Sequence, residues 1–257
     1  MSSKNLYLLR GDDVYSSGLA LKRIVAALGP DFDAAMNFSR LDGKSASFED
    51  LQTAFTTLPF FGTNRLVVVD SALAKIDKNH QEKFLNLLNS TPPSTCVVLQ
   101  VEDHLKWRKD ASGSWIQVWE TLTPAHWLVK WIDAHENAEI IDLALPDEKN
   151  MDAWVQSEAK RQGGAFEMEA AHELTQHTGN DTGVTSQEIA KLLMYVDFER
   201  PVNRADVIAC VSVEGSADVF LMLDELVEGR IARAQSLMRR LLESTPPEAI
   251  LGAVIHR

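Results

Sequence analysis

Two cysteines in 257 residues exclude a disulfide framework. Cys96 and Cys210 are also too few and too far apart in sequence for a zinc site. Each lies in an apolar segment, Thr95-Cys96-Val97-Val98-Leu99 and Val207-Ile208-Ala209-Cys210-Val211, which predicts buried free thiols. No apolar run approaches the roughly 20 residues needed to cross a bilayer. The N-terminal run Leu6-Tyr7-Leu8-Leu9 is too short for the core of a signal peptide, so a cytoplasmic location is expected. Positive charge is scarce as well: Lys plus Arg number 25 against 37 Asp plus Glu, a net charge of −12. That balance excludes indiscriminate duplex binding, which needs clustered cations on phosphates. The arginines at 230, 233, 239 and 240 have the spacing of a polar helix face. There are no repeats and no low-complexity tracts.

The length suits two domains and a fragment of a third. Leu6-Tyr7-Leu8-Leu9 reads as a buried strand, and Asp12 or Asp13 as the N-cap of a helix over 14–28 that Gly29-Pro30 ends. A second strand is expected over 33–38. Ser47-Phe48-Glu49-Asp50 opens a helix to about Thr57 with a capping-box pattern. Strands are expected over 65–69, 95–101 and 138–145, with helices over 78–88 and 127–135 between them. Strands alternating with helices, apolar on both faces, predict a five-stranded parallel sheet covered on both sides. After Pro146 only helical spacing remains, over 150–162, 167–177, 186–196 and 203–211, which predicts a small bundle. Two more helices are expected over 216–229 and 230–242. The final apolar pattern, Ala249, Ile250, Leu251, Val254 and Ile255, suggests a third domain cut short. The expected division is 1–145, 146–212 and 213–257.

An α/β domain followed by a helical one invites a test for a nucleotide loop, G-x-x-x-x-G-K-[ST]. Counted from Gly11, the second glycine falls on Ser16, the lysine on Ser17 and the hydroxyl on Gly18. The loop position is right and the chemistry is absent. Asp70 ends a strand but is followed by Ser71, so the usual acidic pair is missing and a cap or turn role is expected. His172 and His177 are five apart and read as polar-face residues. No Gly-x-Ser-x-Gly elbow and no His-Glu-x-x-His motif occurs. Tryptophans crowd 107–131. The pairs Trp115/Trp119 and Trp127/Trp131 are spaced i,i+4, which predicts helices packing on the sheet rather than a base-stacking platform.

The connector Leu58-Pro59-Phe60-Phe61-Gly62 stands between a helix and a strand. Pro59 and Gly62 break regular structure. Two adjacent aromatics there admit two readings: both cap the domain's own core, or both are left for a partner to cover.

Several stretches together resemble the delta subunit of the bacterial DNA polymerase III clamp loader. They are the first strand with its decayed loop (Leu6 to Asp13), the block from Leu58 to Asp70, and the strand entry Pro92-Pro93-Ser94-Thr95. Gly179-Asn180-Asp181 with Glu188-Ile189-Ala190-Lys191-Leu192, and Asp218-Val219-Phe220-Leu221-Met222-Leu223-Asp224, extend the likeness. The resemblance implies an AAA+-like fold without ATPase activity, then a helical lid and the start of a collar-type domain. It implies a wedge, Leu58, Pro59, Phe60 and Phe61, that binds the beta sliding clamp and opens the ring. It also implies ATP-binding loader subunits and a delta-prime-type subunit as partners, DNA only through the complex, no membrane, no cofactor and no metal. The degenerate loop is Gly11, Ser16, Ser17 and Gly18. Polymerase activity would belong to the holoenzyme. A divergent AAA+ NTPase, and a non-enzymatic scaffold working through the helical C-terminal part, are the competing readings.

Overall fold

The computed structural model describes residues 4–60, 62, 64–110, 112–210, 222, 223, 225–227, 229–244 and 247. Phe61, most of the helix expected over 216–229 and the terminal pattern at 249–255 lie outside them. The chain divides into two compact units, Met1–Leu145 and Pro146–Arg257.

The first unit is built on a parallel sheet of five strands: β1 (Leu6–Gly11), β2 (Phe38–Asp42), β3 (Arg65–Asp70), β4 (Thr95–Val101) and, last in the chain, the strand Ala138–Leu143. An antiparallel ribbon comes before that last strand, so the ribbon strands are β5 (Leu105–Lys109) and β6 (Trp115–Trp119), and Ala138–Leu143 is β7. The sheet order is β2-β3-β4-β1-β7. Leu8 stands opposite Leu99 on one side and Ile140 on the other.

Leu66, Val67, Val68 and Val69 are all fully buried because alternate side chains feed opposite layers. Leu66 and Val68 join Leu9, Cys96 and Val98 beneath α1 (Val14–Ala27). Val67 and Val69 join Leu8, Val97 and Leu99 against Phe55, Phe84 and Leu128. Those three come from α3 (Phe48–Thr56), α4 (Gln81–Ser90) and α5 (Trp127–Asp133), and the short α2 (Ala34–Asn37) precedes β2. Truncating such a side chain to Ala costs about 2–5 kcal/mol. Asp13 is the N-cap of α1, and Ser47 with Asp50 completes the capping box of α3.

Two expectations are corrected here. The segment read as a strand over 33–38 is helix α2, and the strand begins only at Phe38. Asp33 accepts from the N–H of Ala35 at 2.8 Å, and this local cap outcompetes sheet pairing. Trp115 and Trp119 lie on strand β6, not on a helix. A spacing of four fits a helix turn and, being even, also one face of a strand.

The second unit contains α6 (Glu148–Arg161), α7 (Met168–Thr178), α8 (Thr182–Tyr195), α9 (Arg204–Cys210) and α10 (Ile231–Ser244). Val155, Ala170, Leu174, Ile189, Leu192 and Val207 form its core. Buried Glu158 accepts from Arg161 Nε (2.6 Å), Gln162 Nε2 (2.8 Å) and Ser186 Oγ (2.9 Å). Cys210 is half-buried rather than buried, and packs at the edge of this core.

Candidate functional site

Helix α3 stops at Thr57, whose extended backbone turns the chain outward while its N–H still reaches Thr53 O at 3.1 Å. The connector that follows is held at several points. The Phe60 N–H donates to Asn37 Oδ1 at 2.8 Å, and Asn37 is wholly buried. Gly62 has φ +84°, and a Cβ on it would meet Asp31 O at 2.9 Å, so only glycine fits without a shift. Asn64 Nδ2 donates to Leu28 O at 2.8 Å, and the Arg65 guanidinium donates to Ser39 Oγ at 2.7 Å.

On this pinned connector Leu58 is 64% and Phe60 71% exposed, while Pro59 is half-buried. Phe60 therefore does not cap the domain's own core. Met36 and Phe38 flank Asn37 in sequence and are also exposed. The Asn37–Phe60 bond thus joins two segments carrying four exposed apolar side chains. Sequence reasoning missed Met36, Asn37 and Phe38, because a strand was expected there and a single buried Asn carries no periodic signal.

A cavity of about 480 Å³ lies where β1 gives way to α1, the place a nucleotide loop would occupy. Gly11 sits at its edge with φ +148°, and a Cβ there would overlap Leu143 O at 2.1 Å. The glycine thus permits the close approach of β7. The N-terminus of α1 is already capped: Asp13, almost fully buried, accepts from the Ser16 N–H at 3.0 Å and the Ser16 hydroxyl at 2.6 Å. Its carboxylate stands where the helix dipole would otherwise favour a phosphate. The Ser17 hydroxyl accepts from Gln100 Nε2 at 2.9 Å, and Gly18 lies in α1 beside open space.

Asp12, Asp70 and Glu102 also line the cavity. Its one lining cation among the described residues, Arg40, is held by Asp70 through bonds of 2.6 and 3.0 Å, which raise the guanidinium pKa further. Asp70 is therefore an ion-pair partner rather than a cap or turn residue. Asp12 accepts from the Leu145 N–H and pairs with His104 Nδ1 at 2.9 Å, which raises the imidazole pKa above its usual 6.5. These side chains do not fit a triphosphate: carboxylates line the cavity and, among the described residues, no lysine does. Among the described residues no group of three His, Cys, Asp or Glu could hold a metal ion, and no helix is long and apolar enough to cross a membrane.

Residues 7–122 match the family described as DNA polymerase III, delta subunit. No curated protein matches. Among solved structures, the Bacillus subtilis DNA clamp loader delta protein is similar at TM-score 0.70 and 19% identity, over 98% of this chain and 71% of that one. The Thermotoga maritima RuvB Holliday junction branch migration motor aligns at TM-score 0.43 and 15% identity, over 88% of this chain and 70% of that one. The R170A form of that RuvB gives TM-score 0.45 and 14% identity over the same shares. The fold is thus the α/β architecture that this chain shares with the Bacillus subtilis clamp loader delta protein, and the stretch 7–122 is similar to the DNA polymerase III delta-subunit family.

Proposed function

We propose that this chain is a clamp-loader delta-type subunit that binds the beta sliding clamp through Leu58, Pro59, Phe60 and Phe61 and opens the ring for loading on DNA. The observation that carries the reading is Phe60, exposed on a connector that is pinned at Asn37, Gly62 and Asn64. A rigid apolar projection loses little freedom on docking. Burying Leu58 and Phe60 in a partner pocket is worth roughly 1.5–3 kcal/mol each before ordering costs, which is hot-spot scale. The wedge opens the ring only if it binds the open or strained clamp more tightly than the closed one. No covalent step is required of this subunit.

ATP-binding loader subunits and a delta-prime-type subunit are the partners in this reading, in the cytoplasm, with DNA reached through the complex. The unit 1–145 acts as the AAA+-like domain without a functional nucleotide loop. In this reading residues 146–212 act as the lid and 213–257 belong to the collar-type domain. The carboxylate-lined cavity supports a subunit that neither binds nor hydrolyses ATP. A calorimetric ATP titration showing micromolar binding would instead favour the divergent NTPase.

The deciding experiment is capture of purified sliding clamp by the full chain and by Phe60→Ala with Phe61→Ala. The double variant is expected to lose capture by roughly 100-fold while melting where the parent melts. Capture unaffected by the double substitution would sink the wedge.

A further inference from the structure

The ribbon β5–β6 stands apart from the main sheet and is anchored at its base. Asp103, almost wholly buried, accepts from the backbone N–H groups of His104 (3.0 Å), Thr121 (2.9 Å) and Leu122 (2.7 Å). One carboxylate therefore ties the residue entering the ribbon to the residues leaving it. Trp119 is buried at this end, with the Arg10 guanidinium 4.6 Å from its ring centre. At the tip, Asp110 Oδ1 accepts from the N–H groups of Ser112 (2.8 Å) and Ser114 (2.9 Å). Both ends are fixed by hydrogen bonds, so the ribbon is a built arm.

Between those ends the side chains face water. Every residue of β5 is exposed, and Trp107 and Trp115 are 61% and 62% exposed. Trp107 stands opposite Gln117, and Lys109 opposite Trp115. Alternation puts Trp107, Lys109 and Trp115 on one face, with the two indoles diagonal to each other. Diagonal neighbours lie roughly 7–8 Å apart, about twice the 3.4 Å spacing of successive bases. Lys109 Nζ lies 5.3 Å from the centre of the Trp115 ring.

Strand β5 also carries Lys106, Arg108 and Lys109 with no acid among its five residues, on a chain of net charge −12. Lys106 pairs with Glu120, and Asp110 is engaged by its turn. Two exposed indoles on a soluble surface mark a contact site. Protein interfaces enrich tryptophan and arginine but deplete lysine. Aromatic faces with lysine and arginine alongside are instead the combination that holds single strands, whose bases are free to stack.

We propose that the β5–β6 ribbon is a platform for single-stranded DNA, with bases stacked on Trp107 and Trp115 and the backbone phosphates beside Lys109 on the same face. It adds a direct DNA contact to the chain and does not depend on the clamp reading.

The test is anisotropy of fluorescein-labelled oligo(dT) at low salt with the full chain, together with its quenching of tryptophan fluorescence. Trp107→Ala and Trp115→Ala are each expected to weaken binding roughly 5- to 100-fold and to remove part of the quenching. Lys109→Gln should flatten the salt dependence and leave quenching in place, whereas Arg108→Gln, on the opposite face, should change it less. If an alanine variant melts early, Trp107→Tyr with Trp115→Tyr keeps both ring faces, and near-parental affinity there supports the platform. Any of four results overturns it: no binding at low salt, affinity indifferent to both tryptophans, duplex DNA bound as tightly, or self-association of the chain that the tryptophan variants abolish.

Discussion

Asn37 Oδ1 accepts the backbone N–H of Phe60 at 2.8 Å, joining positions 23 apart in sequence. Asn37 is completely buried, whereas Phe60 is largely exposed. The bond therefore fixes the backbone beneath a projecting ring without covering the ring itself. The buried and the exposed side chain of this one contact are thus different residues.

Asn37→Ala and Phe60→Ala should consequently behave as opposites in urea unfolding. Asn37→Ala removes this hydrogen bond and truncates a wholly buried side chain, and is expected to cost about 1–3 kcal/mol. Removing the exposed ring should change stability by no more than about 0.5 kcal/mol. Equal destabilisation by the two variants would show that the ring packs on its own domain after all.

The two glycines nearest the cavity make a second pair. Gly11 has φ +148° with a backbone oxygen 2.1 Å from any added Cβ, while Gly18 lies within α1 with nothing near. Gly11→Ala is expected to cost more than about 3 kcal/mol, because neither β1 nor β7 can move without breaking the sheet. Gly18→Ala should stabilise by about 0.5–1 kcal/mol through helix propensity. Thermal melts of both variants check this. Loss of stability in Gly18→Ala would mean that the added methyl meets a neighbouring atom and that the space beside Gly18 is not open.

The cysteines should differ in reactivity. Burial pushes the Cys96 thiol up to about 12, and β3 and β1 flank its strand. Cys210 is half-exposed, with a thiol raised by partial desolvation. A thiol-disulfide reagent at mildly alkaline pH should titrate one group in the native protein and two after denaturation. Rapid native labelling of a Cys96-only variant would contradict the buried placement.

The central strands were legible because their signal was redundant. Leu66 to Val69, and Cys96 to Leu99, are unbroken apolar runs that no surface element would carry, and all of them are buried. The caps at Asp13 and Ser47 were legible because capping chemistry is local. The ribbon was not, since Trp115 and Trp119 satisfy helical and strand spacing alike and β5 carries three cations among its five residues, with no apolar run to mark a strand. Asn37 was illegible for another reason: its partner is a backbone N–H, which has no identity in the sequence. The departure from the nucleotide-loop pattern was readable from Ser16, Ser17 and Gly18. The Asp13 carboxylate that fills the same position needed coordinates.

His104 and Asp12 couple the cavity rim to pH. The hydrogen bond to Asp12 raises the His104 pKa above 6.5, and the nearby charges of Asp12, Glu102 and Glu120 act in the same direction. A group that holds its proton more tightly when folded stabilises the protein fully below its unfolded pKa, here near 6.5. That contribution fades as pH rises through the higher folded value. His126 works the other way: burial lowers its pKa, so acidification below 6.5 costs stability there. His104→Gln removes only the first contribution. The melting temperature of the variant should fall below that of the parent in mildly acidic solution and converge with it as pH rises into the alkaline range. The pair is solvent-exposed, so the gap should also narrow in high salt. A gap that persists unchanged into alkaline conditions would assign His104 a packing role and remove the charge from the explanation.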